Sequence, residues 1–112
     1  MKRIIAIVRP EKLEPLKEAL FEAGVNGMTV SQVNGCGNQH GWKEYFRGTE
    51  VILNMVPKIK FEIVTEDEFV DGICNTILEV SQTGEVGDGK IFISPVDEVI
   101  RIRTGERGDS AV

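Results

Sequence analysis

Apolar residues recur at two different spacings along the chain, and the change of spacing separates strands from helices. Lys2 to Arg9 is rich in Ile and Val with little polar alternation, which predicts a strand covered on at least one face. Pro10 then opens a predicted helix whose apolar residues recur every three or four positions, with Gly24 suited to its C-cap. The apolar stripe of this helix consists of Leu13, Leu16, Leu20 and Ala23.

The remainder of the chain repeats this order. Met28 to Val33 predicts a second strand, and a third lies within Val51 to Val64. A second helix is predicted over about Glu66 to Gln82, and Ile91 to Ser94 and Glu98 to Arg103 predict the last strands. The apolar stripe of the second helix consists of Phe69, Ile73, Ile77 and Val80.

Strand, helix and strand therefore occur twice in a chain of 112 residues, which is the length of one domain. This order predicts an α+β fold, the ferredoxin-like βαββαβ sandwich, with both helices on one face of one sheet. The strands carry more apolar residues than one helical layer need cover, which predicts a symmetric homo-oligomer that buries the other face. The residues that suggest this surplus are Ile4, Ile59, Phe61, Ile63, Phe92 and Ile102.

A long polar, glycine-rich segment, Asn34 to Glu50, separates the second and third strands. Loops of this length are uncommon in small domains and are usually functional or disordered. Its Gly35-x-Gly37-x3-Gly41 pattern precedes no helix, so it is not a dinucleotide fingerprint, and its glycines are interpreted as hinges. Residues 104–112 form a polar tail, which we expect to be flexible.

Composition limits the function classes. A net charge of −5 and a pI near 4.9 argue against general binding to nucleic acid, which needs a basic surface. No segment has the apolar length of a membrane span or a signal peptide, so a soluble, cytoplasmic protein is expected. Cys36 and Cys74 lack a metal-binding spacing and are predicted to be reduced thiols, and His40 is interpreted as a surface residue. No nucleophile with an activating base can be assembled, which favours a binding protein over an enzyme.

The sequence TGEVGDGKIF, from Thr83 to Phe92, carries the clearest candidate chemistry, and we call residues 83–89 the glycine turn. Glycines that can adopt positive φ beside Lys90 are typical of an anion-binding turn. The spacing Gly84-x4-Gly89-Lys90 matches most of the phosphate loop of nucleotide hydrolases. However, Ile91 replaces the hydroxyl residue that would meet Mg²⁺, and a strand follows instead of a helix. A hydrolase loop is therefore excluded, while a turn that binds nothing remains an alternative.

Arg101 and Arg103 are predicted to lie on one face of the last strand, about 6.6 Å apart, a spacing that suits a polyphosphate. Taken alone, the pair is better explained by ion pairs with Glu98 or another carboxylate. If their strand forms a hairpin with Ile91 to Ser94, both sets of donors can converge on one anion. Asp88 would repel that anion, so it must point away, pair with a cation or bind a sugar hydroxyl.

Five motifs in order resemble the PII family of nitrogen-regulatory signal proteins. They are MKRIIAIVRPEKL, GMTVSQVNGCG, the stretch from RGTE to VPKIKFEIV, TGEVGDGKIF, and VIRIRTGE. The resemblance implies a single PII-like domain over residues 1–112, a homotrimer, and nucleotide sites between subunits where ATP and ADP compete. It also implies binding of 2-oxoglutarate beside Mg-ATP.

The resemblance implies a role for each matching residue. The nucleotide would be held by Thr29, Gly37, Asn38, Val64, Gly87, Asp88, Gly89, Lys90, Arg101 and Arg103. The keto acid would be held by Gln39, His40, Gly41 and Lys58, with Gln39 completing the Mg²⁺ shell. By their own chemistry the Gln39 amide and Lys58 suit these ligands, but each alone is more often solvated. Residues 37–55 would form the effector loop, whose conformation the ligands select.

The sequence also departs from the family pattern. Val51 stands where many relatives carry the tyrosine that is uridylylated, so no modification is expected there, nor at Tyr45 or Thr49. Asn38 and His40 replace residues that are often basic. Arg47 is the candidate contact to a target, either an ammonium transporter or an enzyme of nitrogen metabolism, and the membrane would be reached only through a transporter. The alternatives are a slow ATPase at the same site and a ferredoxin-like interaction module without ligand.

Overall fold

The computed structural model describes residues 1–36 and 55–112 in full, together with the backbone of residues 42–46 and 49–53. Two α-helices follow short 3-10 turns at Pro10–Lys12 and Asp67–Phe69; they are α1 (Leu13–Glu22) and α2 (Val70–Ser81). The strands are β1 (Lys2–Val8), β2 (Thr29–Gly35), β3 (Trp42–Phe46), β4 (Thr49–Leu53), β5 (Val56–Thr65) and β6 (Lys90–Pro95).

Four of these strands form one antiparallel sheet in the order β2-β5-β1-β6, which confirms the predicted ferredoxin-like α+β fold. The two helices pack against each other over one face of this sheet. Strands β3 and β4 pair as a separate antiparallel hairpin, with Trp42 opposite Leu53 and Phe46 opposite Thr49. The sequence predicted a loop up to Glu50 and a strand within Val51 to Val64, and it missed this pairing because neither segment shows the regular alternation of a half-buried strand.

The core lies between the helices and the inner face of the sheet. Ile4 pairs with Ile63 and Ala6 with Phe61, so alternate residues of β1 and β5 face the helices together. The predicted stripes supply Leu16 and Leu20 from α1 and Ile73 and Ile77 from α2, all of them buried. Two residues of the predicted stripes do not face the core: Ala23 and Phe69 are exposed at the helix ends.

Four of the six apolar strand residues that suggested an oligomer lie on the face of the sheet that the helices cover. Ile4, Ile59, Phe61 and Ile63 are all buried beneath the helices, because their registers place them on the same, covered face. Phe92 does lie on the opposite face, where it pairs with Ile5 and is 54% exposed. Ile102 is 99% exposed in the turn that follows β6, and the homo-oligomer stays a prediction.

The predicted strand from Glu98 to Arg103 is also wrong. The Arg101 N–H donates to the Glu106 carbonyl and the Gly105 N–H donates to the Arg101 carbonyl, at 2.9 and 2.7 Å, so the chain turns back on itself. Strand pairing in this part of the chain is limited to the isolated bridge between Ile100 and Arg107. A 3-10 helix, Gly108–Ala111, follows this turn, and the flexibility of residues 104–112 stays a prediction.

Candidate functional site

The glycine turn connects α2 to β6 and passes against the end of β1. Gly87 and Gly89 have φ values of 104° and 101°, in the left-handed region that favours glycine. A Cβ atom on Gly89 would stand 1.7 Å from the Ile7 carbonyl oxygen, so the backbone itself leaves no room for a side chain. Position 89 therefore requires glycine for two reasons, its conformation and its close approach to β1.

Asp88 points into its own turn. Its carboxylate accepts hydrogen bonds from the Thr83 N–H at 2.7 Å and the Gly84 N–H at 2.9 Å, and also from the Thr83 hydroxyl. Arg9 Nε donates to the same carboxylate at 3.1 Å. The Thr83 bonds, together with those from Arg9 and Gly84, hold the pKa of Asp88 well below its usual range. Of the alternatives open at the sequence level, Asp88 thus turns inward and pairs with a cation.

Arg9 is the residue of this site that the sequence reasoning missed. Besides its contact with Asp88, its Nη2 donates to the Val86 carbonyl at 2.8 Å. Four-fifths of both the Arg9 and Asp88 side chains is buried, each being 21% exposed. The need of Asp88 for a cation was visible in the sequence, but a partner 79 positions away carries no local signal.

Lys58 meets the glycine turn from β5. Its Nζ donates to the Gly87 carbonyl at 2.5 Å, and its side chain is buried. The structure therefore brings a residue predicted for the keto acid against one predicted for the nucleotide. Lys90, which is exposed, begins β6 opposite Ile7. Three cations, Arg9, Lys58 and Lys90, therefore lie at this end of the sheet.

The two candidate arginines lie at the other end of the sheet. The chain leaves β6 beside the start of β1, where the Val96 N–H donates to the Met1 carbonyl at 3.1 Å. The Arg101 guanidinium is bonded to Glu106 Oε1 at 3.3 Å and to the Ser110 carbonyl at 3.1 Å. Ile7, opposite Lys90, is five residues from Lys2, which corresponds to roughly 17 Å of strand. The predicted convergence of both sets of donors within one chain is wrong, because the arginines do not lie in a strand that partners β6.

Thr29 and Val64, which the resemblance assigned to the adenine, lie toward the arginine end. Thr29 pairs with Glu62 across β2 and β5, and Val64 pairs with Arg3. Val64 is six residues from Lys58, or about 20 Å along β5. The described candidates thus form two separate groups in one chain: the glycine turn with its lysines, and the arginines with Thr29 and Val64.

Several predicted residues cannot be placed. Gly37, Asn38, Gln39, His40, Gly41 and Arg47 lie outside the described residues, and only the backbone is described for Tyr45, Thr49 and Val51. In the described ranges, no three His, Cys, Asp or Glu side chains come together as a metal site. Cys36 and Cys74 are both free thiols, and burial raises the pKa of Cys74. Neither described helix has the length and apolar character that crossing a membrane requires.

Comparison with known proteins decides the family. The family model described as nitrogen regulatory protein P-II matches residues 1–106. The chain belongs to the P-II family. It is 57% identical to nitrogen regulatory protein P-II 2 of Methanothermobacter thermautotrophicus over 112 residues, which cover all of this chain and 97% of that protein. It is 51% identical to nitrogen regulatory protein P-II 1 of Escherichia coli K12 and 48% identical to nitrogen regulatory protein P-II of Azospirillum brasilense, each over the full length of both chains.

Membership of the P-II family confirms the resemblance seen in the motifs. It supports a role in nitrogen-regulatory signalling, which implies interaction with targets in nitrogen metabolism. Proteins of this family are generally regulatory rather than enzymatic. The geometry of the glycine turn can now be interpreted for a P-II protein.

Proposed function

We propose that this P-II protein senses ATP, ADP and 2-oxoglutarate and controls its targets through the loop at residues 37–55. The observation that carries the proposal is the glycine turn, where Gly89 has no room for a Cβ atom and Lys58 and Lys90 stand beside it. A turn of left-handed glycines next to cations is suited to phosphate, and the inward-facing Asp88 removes the obvious repulsion.

The separation of the two groups of candidates supports a site shared between copies of the chain. Arg101 and Arg103 follow the end of β6 that lies away from Lys90, and Arg101 is bonded to the Ser110 carbonyl there. A second copy in a closed ring would bring its arginine end to the glycine turn of the first. We therefore propose a homotrimer with three equivalent nucleotide sites, each contributed by two subunits. Thr29 and Val64 would line the adenine.

The position of Lys58 supports a keto-acid site next to the phosphates. Its ammonium already contacts the Gly87 carbonyl, so a carboxylate bound by Lys58 would lie beside a nucleotide bound by the turn. Mg²⁺ supplies charge neutralisation between the anions when it is bound, and Gln39 would contribute an oxygen to it. Gly37, Asn38, His40 and Gly41 would complete the two sites from the start of the loop. Ligands then act by favouring one loop conformation over another.

The target of this protein would be an ammonium transporter or an enzyme of nitrogen metabolism, reached from the cytoplasm. Arg47 would contact that target from within the loop. Uridylylation would play no part, because Val51 has no hydroxyl group. Target selection would thus depend on the bound effectors alone.

Calorimetry on the full chain tests the ligands. ATP and ADP are expected to bind the same sites in competition, and 2-oxoglutarate is expected to bind only when Mg-ATP is present. Sedimentation should give three times the mass of the chain. A protein that binds neither nucleotide would be an interaction module, and the proposal would fail.

Mixed assemblies test whether each site is shared between subunits. Lys90→Ala removes a cation from the turn and Arg103→Ala removes one from the opposite end, so each variant alone should bind ATP weakly at every site. When equal amounts are mixed at random, about a quarter of the interfaces combine the intact turn of an Arg103→Ala subunit with the intact arginine end of a Lys90→Ala subunit. Those sites should bind ATP normally. Mixed assemblies that recover no tight sites would show that each site belongs to one chain.

A further inference from the structure

Arg9 occupies a position from which it can control the shape of the glycine turn. This inference rests on the proposed function and adds a residue to its nucleotide site. We propose that Arg9 is a positioning residue, which holds the turn in its phosphate-receiving shape through Asp88 and the Val86 carbonyl. It would act without touching the nucleotide.

The first support is that one guanidinium group brackets Gly87. Arg9 Nη2 binds the residue before it, at the Val86 carbonyl, and Arg9 Nε binds the residue after it, at Asp88. Lys58 binds the carbonyl of Gly87 itself. Three consecutive residues are thus held by two side chains, Arg9 just after β1 and Lys58 from β5. A planar guanidinium can bind two acceptors at once.

The second support is that Val86 has little else to hold it. Its side chain is 70% exposed, so packing does not anchor it. Asp88 keeps its bonds to Thr83 and Gly84 without Arg9, but these bonds lie within the turn and do not attach it to the sheet. Without Arg9, Lys58 would hold Gly87 only through its carbonyl, and a glycine changes its φ at little cost.

The third support is the rigidity of the Arg9 backbone. Arg9 follows the last residue of β1 and precedes Pro10, and it is extended, with φ −64° and ψ 147°. A residue before proline is restricted to extended conformations, so its side chain starts from a fixed point. Arg9 therefore connects the glycine turn to an inner strand of the sheet.

The fourth support concerns charge. Arg9 pairs with the carboxylate of Asp88, so that this carboxylate does not oppose the positive charges of Lys58 and Lys90 beside the turn. Loss of Arg9 would both loosen the turn and expose a phosphate to the Asp88 carboxylate. Arg9→Met removes both the guanidinium bonds and the positive charge beside Asp88, whereas Arg9→Lys removes the bonds and keeps the charge.

The test compares ATP affinity of the full-length assembly by calorimetry. Arg9→Met should weaken ATP binding about tenfold or more, the scale of one lost charge-assisted hydrogen bond. Arg9→Lys keeps the charge but not the guanidinium fork, and only partial recovery is expected. Lys17→Met removes one cation from α1 that pairs with Glu14 and with no residue of the turn, and it should bind ATP like the wild type. Equal loss in Lys17→Met, or full recovery in Arg9→Lys, would mean that charge alone matters and would overturn the proposal.

A second readout follows the turn without nucleotide. In Arg9→Met, the NMR signals of the Gly87 and Gly89 amides should shift, while those of Gly24 and the thermal midpoint stay as in the wild type. Unchanged Gly87 and Gly89 signals would contradict the positioning role. A wild type that binds no ATP would contradict the proposed function and the nucleotide part of this inference. A wild type and an Arg9→Met variant that bind ATP equally well would contradict this inference alone.

Discussion

The Ile7 carbonyl oxygen lies where a side chain on Gly89 would have to begin, 1.7 Å from the ideal Cβ position. This close approach joins the end of an inner strand, β1, to the glycine turn through backbone atoms. Backbone atoms cannot move aside as a flexible side chain can. The position of the turn is therefore determined by β1 as well as by its own sequence.

Gly89→Ala should destabilise the protein more than a comparable change in the same turn. Gly84 also has a positive φ, of 86°, but nothing lies within 4 Å of the point where its Cβ atom would stand, so Gly84→Ala costs only the backbone term, about 1–2 kcal/mol. Gly89→Ala adds a clash and should reach about 3 kcal/mol or more, because overpacking adds roughly 1–3 kcal/mol. Denaturant unfolding at one fixed protein concentration measures both. Equal costs would show that the turn can move away from Ile7.

Among the aromatic side chains that the structure describes, Phe61 should be the most costly to truncate. It is fully buried beneath the helices, whereas Phe69 is 53% exposed at the start of α2. Phe61→Ala is expected to lower the free energy of unfolding by about 3–5 kcal/mol, the usual cost for a buried phenylalanine. Phe69→Ala serves as the control and should cost under about 1 kcal/mol. A similar cost for both would contradict the assigned core.

Asp88 should titrate below the ordinary aspartate pKa of about 3.9. Since its folded pKa is lowered, the stability it contributes is fully present above that ordinary value and is lost as the pH falls through the folded pKa. Thr83→Val removes the hydroxyl that lowers the pKa of Asp88 most and should raise it. NMR titration of the carboxyl carbon measures this. An unchanged midpoint in Thr83→Val would show that the hydroxyl does not stabilise the carboxylate.

Glu66 should destabilise the fold at neutral pH. The hydrogen bond with Glu68, burial, and the charge of Asp109 raise the pKa of Glu66, so the folded state holds its proton more tightly than the unfolded state does. Stability is therefore lost as the pH rises through the raised pKa. Glu66→Gln should melt at a higher temperature than the wild type at pH 7, and the difference should vanish below about pH 4.3, the ordinary glutamate pKa. A melting difference that persisted unchanged below that pH would show that the substitution acts through something other than the titration of Glu66.

Most of the core could be predicted from the local spacing of apolar residues. Ile59, Phe61 and Ile63 alternate within the predicted third strand, and all three are buried on one face of β5. The spacing of Leu16 and Leu20 predicted the inner face of α1 in the same way. Such predictions succeed because burial repeats with the period of the element, which the sequence carries directly.

The errors arose where a partner had to be assumed. Arg101-Ile102-Arg103 alternates like a strand, but a strand also needs a neighbour, and here the turn closed by Gly105 pairs the segment with Glu106 instead. Local patterns also did not show which strand residues the helices cover. Ile4 and Ile63 come from strands far apart in the chain, and only their register shows that they share the covered face.

The sequence by itself thus determined most of the elements and of the core, the glycine turn as the candidate site, and the P-II family. The tertiary structure decided how that turn is held: by Ile7, by Lys58, and by Arg9 acting through Asp88. It also placed the arginines at the opposite end of the sheet. Periodicity and motifs are local properties of a chain, whereas a counter-ion, a close backbone contact or a strand partner depends on residues that folding alone brings together.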